Sequence, residues 1–340
     1  MKQLVFLAPE RFEWQDVAAP QVNAASDATV RPLAVARCDL DLYLATGFVK
    51  YKGPFPFGHE MVGEVVDAGS DAGVVPGERV VVPFQLSCGR CSACLRGLTN
   101  SCEAYPFCAA YGLPTSGVNF GGALSDLVHV PFADHMLVKL PDGVDPVTAA
   151  SACDNIADGW RGVATHLKAR PGASVLVVGG LAQSVGIYAA GAAVALGAGR
   201  VLYLDDKADN RERAALMGAE TAPLALGQGR GASEQFEIVV EAAGDAAALG
   251  FAIQSCAANG TVSSVSMHFG ATTPVPLTQA YFKGMTLHTG RVHSRAMLPD
   301  VLGCIACGAL HPEHVTHKVL PFSDAIAAMT DPGPKLVFTP

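Results

Sequence analysis

The amino-acid sequence predicts two domains, a β-rich domain followed by a doubly wound parallel α/β sheet. With 340 residues, the chain is too long for one hydrophobic core. Roughly the first 150 residues contain short, Val-rich runs bounded by turn residues. After Ser151, strand-like runs alternate with Ala-rich helical stretches, which indicates a parallel sheet covered by helices.

The first region has the pattern of an antiparallel β domain. Its strand-like runs include Glu64–Val66, Arg79–Val82 and Leu127–Val130. The tail from about Arg291 is mixed and ends in the strand-like run Lys335–Thr339, so we expect it to return to the first domain. This domain is therefore predicted to comprise residues 1–154 and 291–340.

The second region, residues 155–290, alternates strands with helices. The predicted strands are Ser174–Val178, Arg200–Leu204, Phe236–Glu241 and Thr261–Val265, and the predicted helices are Val185–Leu196, Asn210–Met217 and Asp245–Cys256. Strands and helices that alternate in this way form a doubly wound parallel sheet.

Composition excludes several classes of function. A formal net charge of −8, with no run of Lys or Arg, argues against a nucleic-acid partner. The first ten residues lack the pattern of a signal peptide. Pro171–Gly199 is uncharged and long enough to cross a bilayer, but its seven glycines favour a buried strand, turn and helix. We therefore expect a soluble, cytoplasmic protein.

The strongest local motif is a set of four cysteines that are close in sequence. These are Cys88, Cys91, Cys94 and Cys102. Four thiolates satisfy tetrahedral zinc and leave no open position, so the lobe 88–102 predicts a structural zinc site. Four unrelated buried thiols and a redox switch are the alternatives.

Three separated residues form a second candidate metal set. Cys38 lies in an Ala-Arg-Cys-Asp-Leu-Asp segment, His59 in Gly-His-Glu, and Asp154 directly after Cys153. Each alone is more often a packing residue than a ligand. Together, one thiolate, one neutral imidazole and one carboxylate would balance the charge of Zn²⁺.

The order of these motifs resembles the zinc-dependent medium-chain alcohol dehydrogenases over essentially the whole chain. The resemblance implies a GroES-like β-barrel catalytic domain, a Rossmann domain, and a catalytic zinc held by Cys38, His59 and Asp154. The pattern Gly159-Trp160 sets the register on Asp154, and Cys153 is the rival ligand.

Two carboxylates near these ligands are also candidate site residues. Asp41 is expected to accept a hydrogen bond from the ring of His59, and Glu60 is expected to lie behind the zinc. For both, the alternative is an ordinary solvated or paired carboxylate.

The sequence departs from the family where the proton relay begins. Many members carry Ser or Thr two residues after the first cysteine, and often His five residues after it. This chain has Leu40 and Tyr43. Leucine cannot carry a proton, so release is expected through water, Tyr43 or another group. Leu40, Phe84, Trp160 and Tyr43 are candidate walls of an apolar pocket, or ordinary core residues.

A glycine-containing turn between the strand Ser174–Val178 and the following helix predicts a dinucleotide site. The residue pattern is not a strict G-x-G-x-x-G, but a turn between a strand and a helix suits a pyrophosphate at the helix N-terminus. The predicted cofactor residues in this turn are Gly179, Gly180, Leu181, Ala182, Ser184, Val185 and Gly186.

Asp205 follows the next strand and predicts the choice of cofactor. A carboxylate there accepts hydrogen bonds from ribose hydroxyls and repels a 2′-phosphate, which favours NAD over NADP. Its alternative role is a helix N-cap. The segments that contain Ala243, Ser266 and Met267 resemble cofactor-lining segments of the family.

The sequence therefore predicts a zinc- and NAD-dependent alcohol dehydrogenase with two zinc ions per chain and a small alcohol or carbonyl substrate. The alternatives are a zinc-independent carbonyl or enone reductase of the same fold, and a zinc- and nucleotide-binding redox sensor without turnover. The resemblance implies a homodimer or homotetramer.

Overall fold

The structure, a computed structural model, describes residues 1–226 and 233–340, and these form two compact units. Unit 1 contains Met1–Ala157, Val292–Ala306 and Thr316–Pro340, and unit 2 contains Asp158–Arg291 and Cys307–Val315. Residues 307–315 thus group with unit 2, whereas the sequence placed them in the first domain. Arg213 explains the difference, because its guanidinium donates to the carbonyls of His314 and Val315.

Unit 1 contains ten strands. They are β1 (Lys2–Ala8), β2 (Arg11–Asp16), β3 (Ala28–Ala36), β4 (Phe55–Pro56), β5 (Glu60–Ala68), β6 (Arg79–Val82), β7 (Val128–Val130), β8 (Val138–Lys139) and, near the C-terminus, β15 (Lys318–Pro321) and β16 (Leu336–Thr339). The strands of unit 2 are β9 (Ser174–Val178), β10 (Arg200–Leu204), β11 (Glu220–Ala222), β12 (Phe236–Glu241), β13 (Cys256–Ser264) and β14 (Thr286–Thr289).

The helices are distributed over both units. They are α1 (Asp39–Ala45), α2 (Ser92–Leu95), α3 (Ala133–Met136), α4 (Pro146–Ala149), α5 (Ala157–Ala169), α6 (Gln183–Ala195), α7 (Ala208–Leu216), α8 (Ala246–Ser255), α9 (Leu277–Lys283), α10 (Ser294–Ala306) and α11 (Ala325–Ala328). A π-helical turn spans Ala152–Ile156, and short 3₁₀ turns span Thr99–Ser101, Pro312–His314 and Phe322–Asp324.

Unit 1 is built from two sheets around a common core. A three-stranded sheet has the order β2-β1-β4, and a seven-stranded sheet has the order β15-β16-β3-β5-β6-β8, with β7 also paired to β3. All pairs are antiparallel except β15 with β16. Phe6, Phe55 and Phe57 pack together in the core, with ring centroids 4.8 to 6.2 Å apart. Aromatic burial of this kind supplies much of a small β core's stability.

Unit 2 is a six-stranded, fully parallel sheet with the order β11-β10-β9-β12-β13-β14. This is the order of a doubly wound dinucleotide-binding sheet. Strand β9 is buried almost throughout because helices cover both faces of such a sheet. The fold class predicted from the sequence is therefore confirmed.

Element boundaries differ from the sequence prediction at several ends. Strands β9, β10 and β12 coincide with it. Helix α6 begins at Gln183 and not at Val185, because the N–H of Gly186 already bonds to the carbonyl of Ala182. Helix α7 likewise begins at Ala208 and not at Asn210.

The uncharged run Pro171–Gly199 folds as β9 and α6 inside unit 2. Among the described residues, no helix combines the length and the apolar character needed to cross a membrane.

Arg37 fixes the C-terminal segment to the end of β3. The residue is 2% exposed, and its guanidinium donates to the carbonyls of Met329, Asp331 and Gly333. Its backbone N–H bonds to the carbonyl of Leu336. The segment that leads into β16 is therefore held against the residue that precedes Cys38.

We expect Arg37→Met to destabilise unit 1 strongly. The substitution keeps an unbranched side chain but leaves three carbonyls without their donor, at a cost of about 3 kcal/mol or more. The free energy of unfolding, measured in a denaturant titration, checks this expectation. The control is Arg31→Met on strand β3, which directly precedes Arg37. This change removes an exposed pair with Glu64, and a cost below about 1 kcal/mol is expected. Equal effects of the two substitutions would contradict the anchoring role of Arg37.

Candidate metal centres and nucleotide site

The first candidate metal site is the cysteine tetrad in the loop around α2. Its four sulfur atoms lie within 4.8 Å of one another and belong to Cys88, Cys91, Cys94 and Cys102. Gly89 and Gly97 have φ angles of 72° and 77°, so they make the turns that bring the thiols together. Four thiolates complete a tetrahedral shell and leave no position for a substrate, so the tetrad fits a structural zinc.

Backbone N–H groups of this loop donate to the sulfur atoms. The N–H groups of Cys94 and Glu103 lie 3.5 and 3.4 Å from Cys91 Sγ, and that of Cys88 lies 3.3 Å from Cys102 Sγ. The first two bonds lower the pKa of Cys91 to about 6, whereas burial raises the pKa of Cys94 to about 12. A bound cation would hold all four as thiolates, because metal binding releases their protons.

The second candidate metal site is a buried group in unit 1. Cys38, His59, Glu60 and Asp154 each offer one ligand atom, and these atoms lie within 4.8 Å of one another. We name these four residues the central group. The structure thus brings together the three predicted zinc ligands from three distant segments of the chain.

Local structure positions each of the three predicted ligands. Cys38 is the N-cap of α1, and His59 directly precedes β5. Asp154 lies in the π-helical turn, in which the N–H of Ile156 bonds to the carbonyl of Ser151 five residues earlier. Turns of this type are frequent at functional sites.

Cys153, the rival ligand, lies outside the central group. Its thiol points to the backbone carbonyl of His59 at 3.8 Å. Asp154 Oδ2, by contrast, lies 3.3 Å from His59 Nε2. The geometry therefore favours Asp154 over Cys153 as the third ligand.

Asp41 lies behind the ring of His59, but the hydrogen bond predicted between them is not formed, because the two atoms are too far apart. Asp41 Oδ1 is 3.6 Å from His59 Nδ1, and Asp41 Oδ2 accepts a hydrogen bond from the N–H of Cys38 at 3.0 Å. Burial alone would lower the pKa of His59, but the charges of Asp41 and Asp154 outweigh it and raise this pKa to about 9. A metal that binds His59 would therefore displace a proton.

Glu60 is fully buried and pairs with a lysine from the C-terminal segment. Lys335 Nζ lies 3.2 Å from both carboxylate oxygens of Glu60, and Ser151 Oγ also donates to Glu60. Burial raises the pKa of Glu60 to about 8 despite the opposing charge of Lys335. Lys335 is itself 0% exposed.

The donors of the central group fit zinc. Burial raises the pKa of the Cys38 thiol well above its usual range, and the nearby carboxylates Asp154, Glu60 and Asp41 raise it further. Such a concentration of buried acidic groups calls for a cation. A thiolate, an imidazole and a carboxylate leave one position of a tetrahedral shell open, which is the pattern of a catalytic zinc site.

The candidate apolar walls lie on helix α1 and directly after strand β6. Leu40 and Tyr43 are partly buried on α1, and the ring of Tyr43 lies 5.4 Å from that of Phe48. The ring of Phe84 lies 5.4 Å from that of His59. Phe84 is therefore the candidate wall residue for which the structure describes a contact with a candidate ligand, His59.

The predicted nucleotide site lies in unit 2 at the carboxyl ends of β9 and β12. Helix α6 begins directly after the turn, which is the place in such a fold where a pyrophosphate is expected. The N–H groups of Leu181 and Ala182 bond to the carbonyls of Ala243 and Ala242. A Cβ at Gly180 would lie 2.5 Å from Ala243 Cα, so this close approach requires glycine.

Asp205 is buried at the end of β10 and accepts three hydrogen bonds. Tyr203 Oη and Asn210 Nδ2 donate to its Oδ2 at 2.7 and 3.0 Å, and the N–H of Lys207 donates to its Oδ1 at 2.8 Å. Lys207, and not Asp205, is the N-cap of α7, so the alternative role of Asp205 as an N-cap is wrong. Three donors still leave one acceptor direction on the carboxylate for a ribose hydroxyl.

Ser266 and Met267 lie next to the turn after β12. A Cβ at Gly244 would be 2.6 Å from Ser266 Oγ, 2.8 Å from the Met267 carbonyl and 3.2 Å from Leu181 Cδ1. The structure therefore brings together the predicted cofactor segments around Leu181, Gly244 and Ser266.

Comparison with known proteins decides the family. Residues 24–142 match the alcohol dehydrogenase GroES-like domain, and residues 184–306 match the zinc-binding dehydrogenase domain. A medium chain reductase/dehydrogenase of Acremonium sp. is 31% identical over 83% of this chain and 98% of its own length. The chain belongs to the zinc-dependent medium-chain dehydrogenase/reductase family.

One further sequence relative and one solved structure are also similar to this chain. A probable zinc-binding alcohol dehydrogenase of Mycobacterium tuberculosis is 29% identical over 90% of this chain and 78% of its own length. The solved structure of an alcohol dehydrogenase from Thermus sp. ATN1 superposes with a TM-score of 0.88 at 32% identity, and covers 100% of this chain and 99% of its own. Membership of this family identifies zinc as the metal that the two ligand groups fit.

Sequence reasoning missed two polar residues that contact the central group. The sequence predicts Lys335 only as the first residue of a C-terminal strand, and it does not single out Asn155. Lys335 Nζ is 2.6 Å from Asn155 Oδ1. The sequence pattern gives no signal for a contact between residues 180 positions apart.

We expect Cys94→Ser to remove one zinc ion per chain. One thiolate of the closed shell is lost, while the central group keeps all its donors. Metal analysis of the purified variant measures the loss. Cys108→Ser is the matched control, because Cys108 is a partly buried cysteine of the same region outside the tetrad. A disulfide within the tetrad of the wild type, in place of zinc, would support the redox alternative instead.

Proposed function

We propose that the protein is a zinc-dependent alcohol dehydrogenase that transfers hydride between a small alcohol or carbonyl substrate and NAD. The observation that carries the proposal is the convergence of Cys38, His59 and Asp154 in a buried group separate from the cysteine tetrad. A zinc-independent reductase has no use for this set of donors.

The chemistry divides between the cofactors and the chain. Zinc, when bound, supplies a Lewis acid for the substrate oxygen, and NAD supplies the hydride acceptor. Cys38 and Asp154 contribute two negative charges that balance the metal. Asp41 orients the ring of His59, so that Nε2 faces Asp154 and the metal position.

The proton released from an alcohol takes a route that differs from the family's usual relay. Leu40 occupies the position of the relay hydroxyl and cannot accept a proton. Tyr43, one helical turn further along α1, or water takes this part. The apolar side chains of Leu40 and Phe84 also favour an alcohol with an apolar substituent over a polyol.

The nucleotide is proposed to bind with its pyrophosphate at the N-terminus of α6 and its adenosine ribose at Asp205. The buried carboxylate of Asp205 is held by Tyr203 and Asn210, so its remaining acceptor direction is fixed. A 2′-phosphate at this place would face an anion, which supports NAD as the preferred cofactor.

We also infer that the dehydrogenase is a homo-oligomer, either a dimer or a tetramer. Leu277, Tyr281 and Phe282 of α9 are 70 to 81% exposed in unit 2. Large exposed apolar side chains that lie together commonly mark a protein interface. Strand β14, at the edge of the parallel sheet, is exposed as well.

We expect the wild type to bind two zinc ions per chain and Asp154→Ala to bind one. The variant should lose NADH formation with an alcohol panel by at least about 100-fold, because loss of a ligand exceeds the usual effect of changing a residue behind it. Zinc content and NADH absorbance measure the two effects.

Cys153→Ala is the matched control for the third ligand. The Cys153 thiol points to a backbone carbonyl, so this variant should keep two zinc ions. Zinc loss in Cys153→Ala, but not in Asp154→Ala, would make Cys153 the ligand. A single zinc in the wild type would instead support the zinc-independent reductase.

We expect Asp205→Ser to weaken NADH binding and to reduce the ratio of the affinity for NADH to the affinity for NADPH. Loss of a hydrogen bond to a charged group costs about 1.5 to 3 kcal/mol, or about 10- to 100-fold in affinity. Fluorescence titration with both cofactors measures this without turnover. Asp206→Ser, at the exposed neighbouring residue, is the control. If only the Asp206 variant changed the ratio, the role assigned to Asp205 would be wrong.

A further inference from the structure

The carboxamide of Asn155 lies between the two acidic ligands of the central group. Asn155 Nδ2 is 3.2 Å from Cys38 Sγ and 3.1 Å from Asp154 Oδ2. Its Oδ1 accepts a hydrogen bond from Lys335 Nζ at 2.6 Å and one from the N–H of Asp39 at 3.2 Å. Asn155 is 3% exposed, so water does not substitute freely for these partners.

The partners of Asn155 fix the orientation of its amide. Lys335 Nζ and the N–H of Asp39 are donors and therefore require the carbonyl oxygen. The thiolate of Cys38 and the carboxylate of Asp154 are acceptors and require the NH₂ group. In the reversed orientation, the NH₂ group would face two donors and the carbonyl oxygen would face two acceptors. Only one orientation of the amide is therefore compatible with this site.

The π-helical turn makes this arrangement possible. Its wider turn, closed by the bond from Ile156 N to Ser151 O, changes the angle between successive side chains. Asp154 and Asn155 are adjacent in sequence, yet both reach the central group. A regular α-helix would turn adjacent side chains further apart.

We propose that Asn155 is a positioning residue for the zinc of the central group. It holds Cys38 Sγ and Asp154 Oδ2 in the ligating arrangement before the metal binds. The ammonium group of Lys335 polarises the carboxamide and strengthens both of its N–H donors. This inference rests on the proposed function, because it assumes that Cys38 and Asp154 bind zinc.

The experiment compares Asn155→Leu and Asn155→Ser with the wild type in the full-length protein. Leucine has the shape of asparagine without its polar groups, and serine is polar but cannot bridge Cys38 and Asp154. Asn210→Leu is the matched control, because it removes another buried asparagine amide, from unit 2. The zinc affinity of the central site is measured by competition with a chelator, with the tetrad zinc as the internal reference.

Both Asn155 variants should keep the tetrad zinc and lose about 10- to 100-fold in zinc affinity at the central site. With Co²⁺ in that site at saturating metal, the sulfur-to-cobalt charge-transfer band should move to lower energy, because the thiolate has lost a hydrogen bond. A residue with only a packing role would leave this band in place. Asn210→Leu should match the wild type in both measurements.

Wild-type affinity and an unmoved cobalt band in both Asn155 variants would overturn the proposal. Loss of the tetrad zinc together with the central zinc in both variants would also overturn it, since Asn155 would then support folding in general. The proposed function fails separately, if the wild type binds no central zinc or forms no NADH from any alcohol.

Discussion

The structure of unit 1 depends on keeping several acidic groups together away from water. Cys38, Glu60, Asp154 and Asp41 are at most 7% exposed, and the ionised form of each is disfavoured by burial. Asp154 nevertheless has a lowered pKa, because its contacts with His59 outweigh the effect of burial. Lys335 supplies one buried positive charge. A divalent cation would supply two more, so the charges of the site fit a metal centre.

Arg37 and Lys335 show how the fold meets this requirement. Arg37 binds three carbonyls of the segment Met329–Gly333, and Lys335 Nζ donates to the carbonyl of Arg37 at 2.8 Å. The C-terminal segment is thereby fixed to both the side chain and the backbone of Arg37, which directly precedes Cys38. The position of Lys335 behind the ligands is thus a consequence of these contacts, which hold its Nζ within hydrogen-bond distance of Glu60 and Asn155.

Much of the fold and part of the candidate site could be predicted from the sequence. The predictable features depend on residues that are close together along the chain, and the others depend on contacts between distant residues. The tetrad is local, so its spacing alone indicates a closed metal shell. Strands β9, β10 and β12 are short apolar runs between turns, and their limits follow from composition. The contact of Lys335 with Glu60 joins residues 275 positions apart, and no pattern in the sequence pairs them. The π-helical turn at Asp154 is equally hidden, because one extra residue in a helical turn leaves the apolar pattern almost unchanged.

The two metal sites therefore use the chain in different ways. In the tetrad, backbone N–H groups next to the cysteines donate to sulfur, and such bonds form wherever the loop folds. In the central group, side chains take this part: the amide of Asn155 donates to Cys38 and Asp154, and Asp41 places a negative charge 3.6 Å from His59 Nδ1. Side-chain partners can be exchanged by single substitutions, whereas backbone donors cannot. The central group can consequently change its ligand strength without a change of fold, which is what we expect of the catalytic zinc site proposed above and not of a closed structural site.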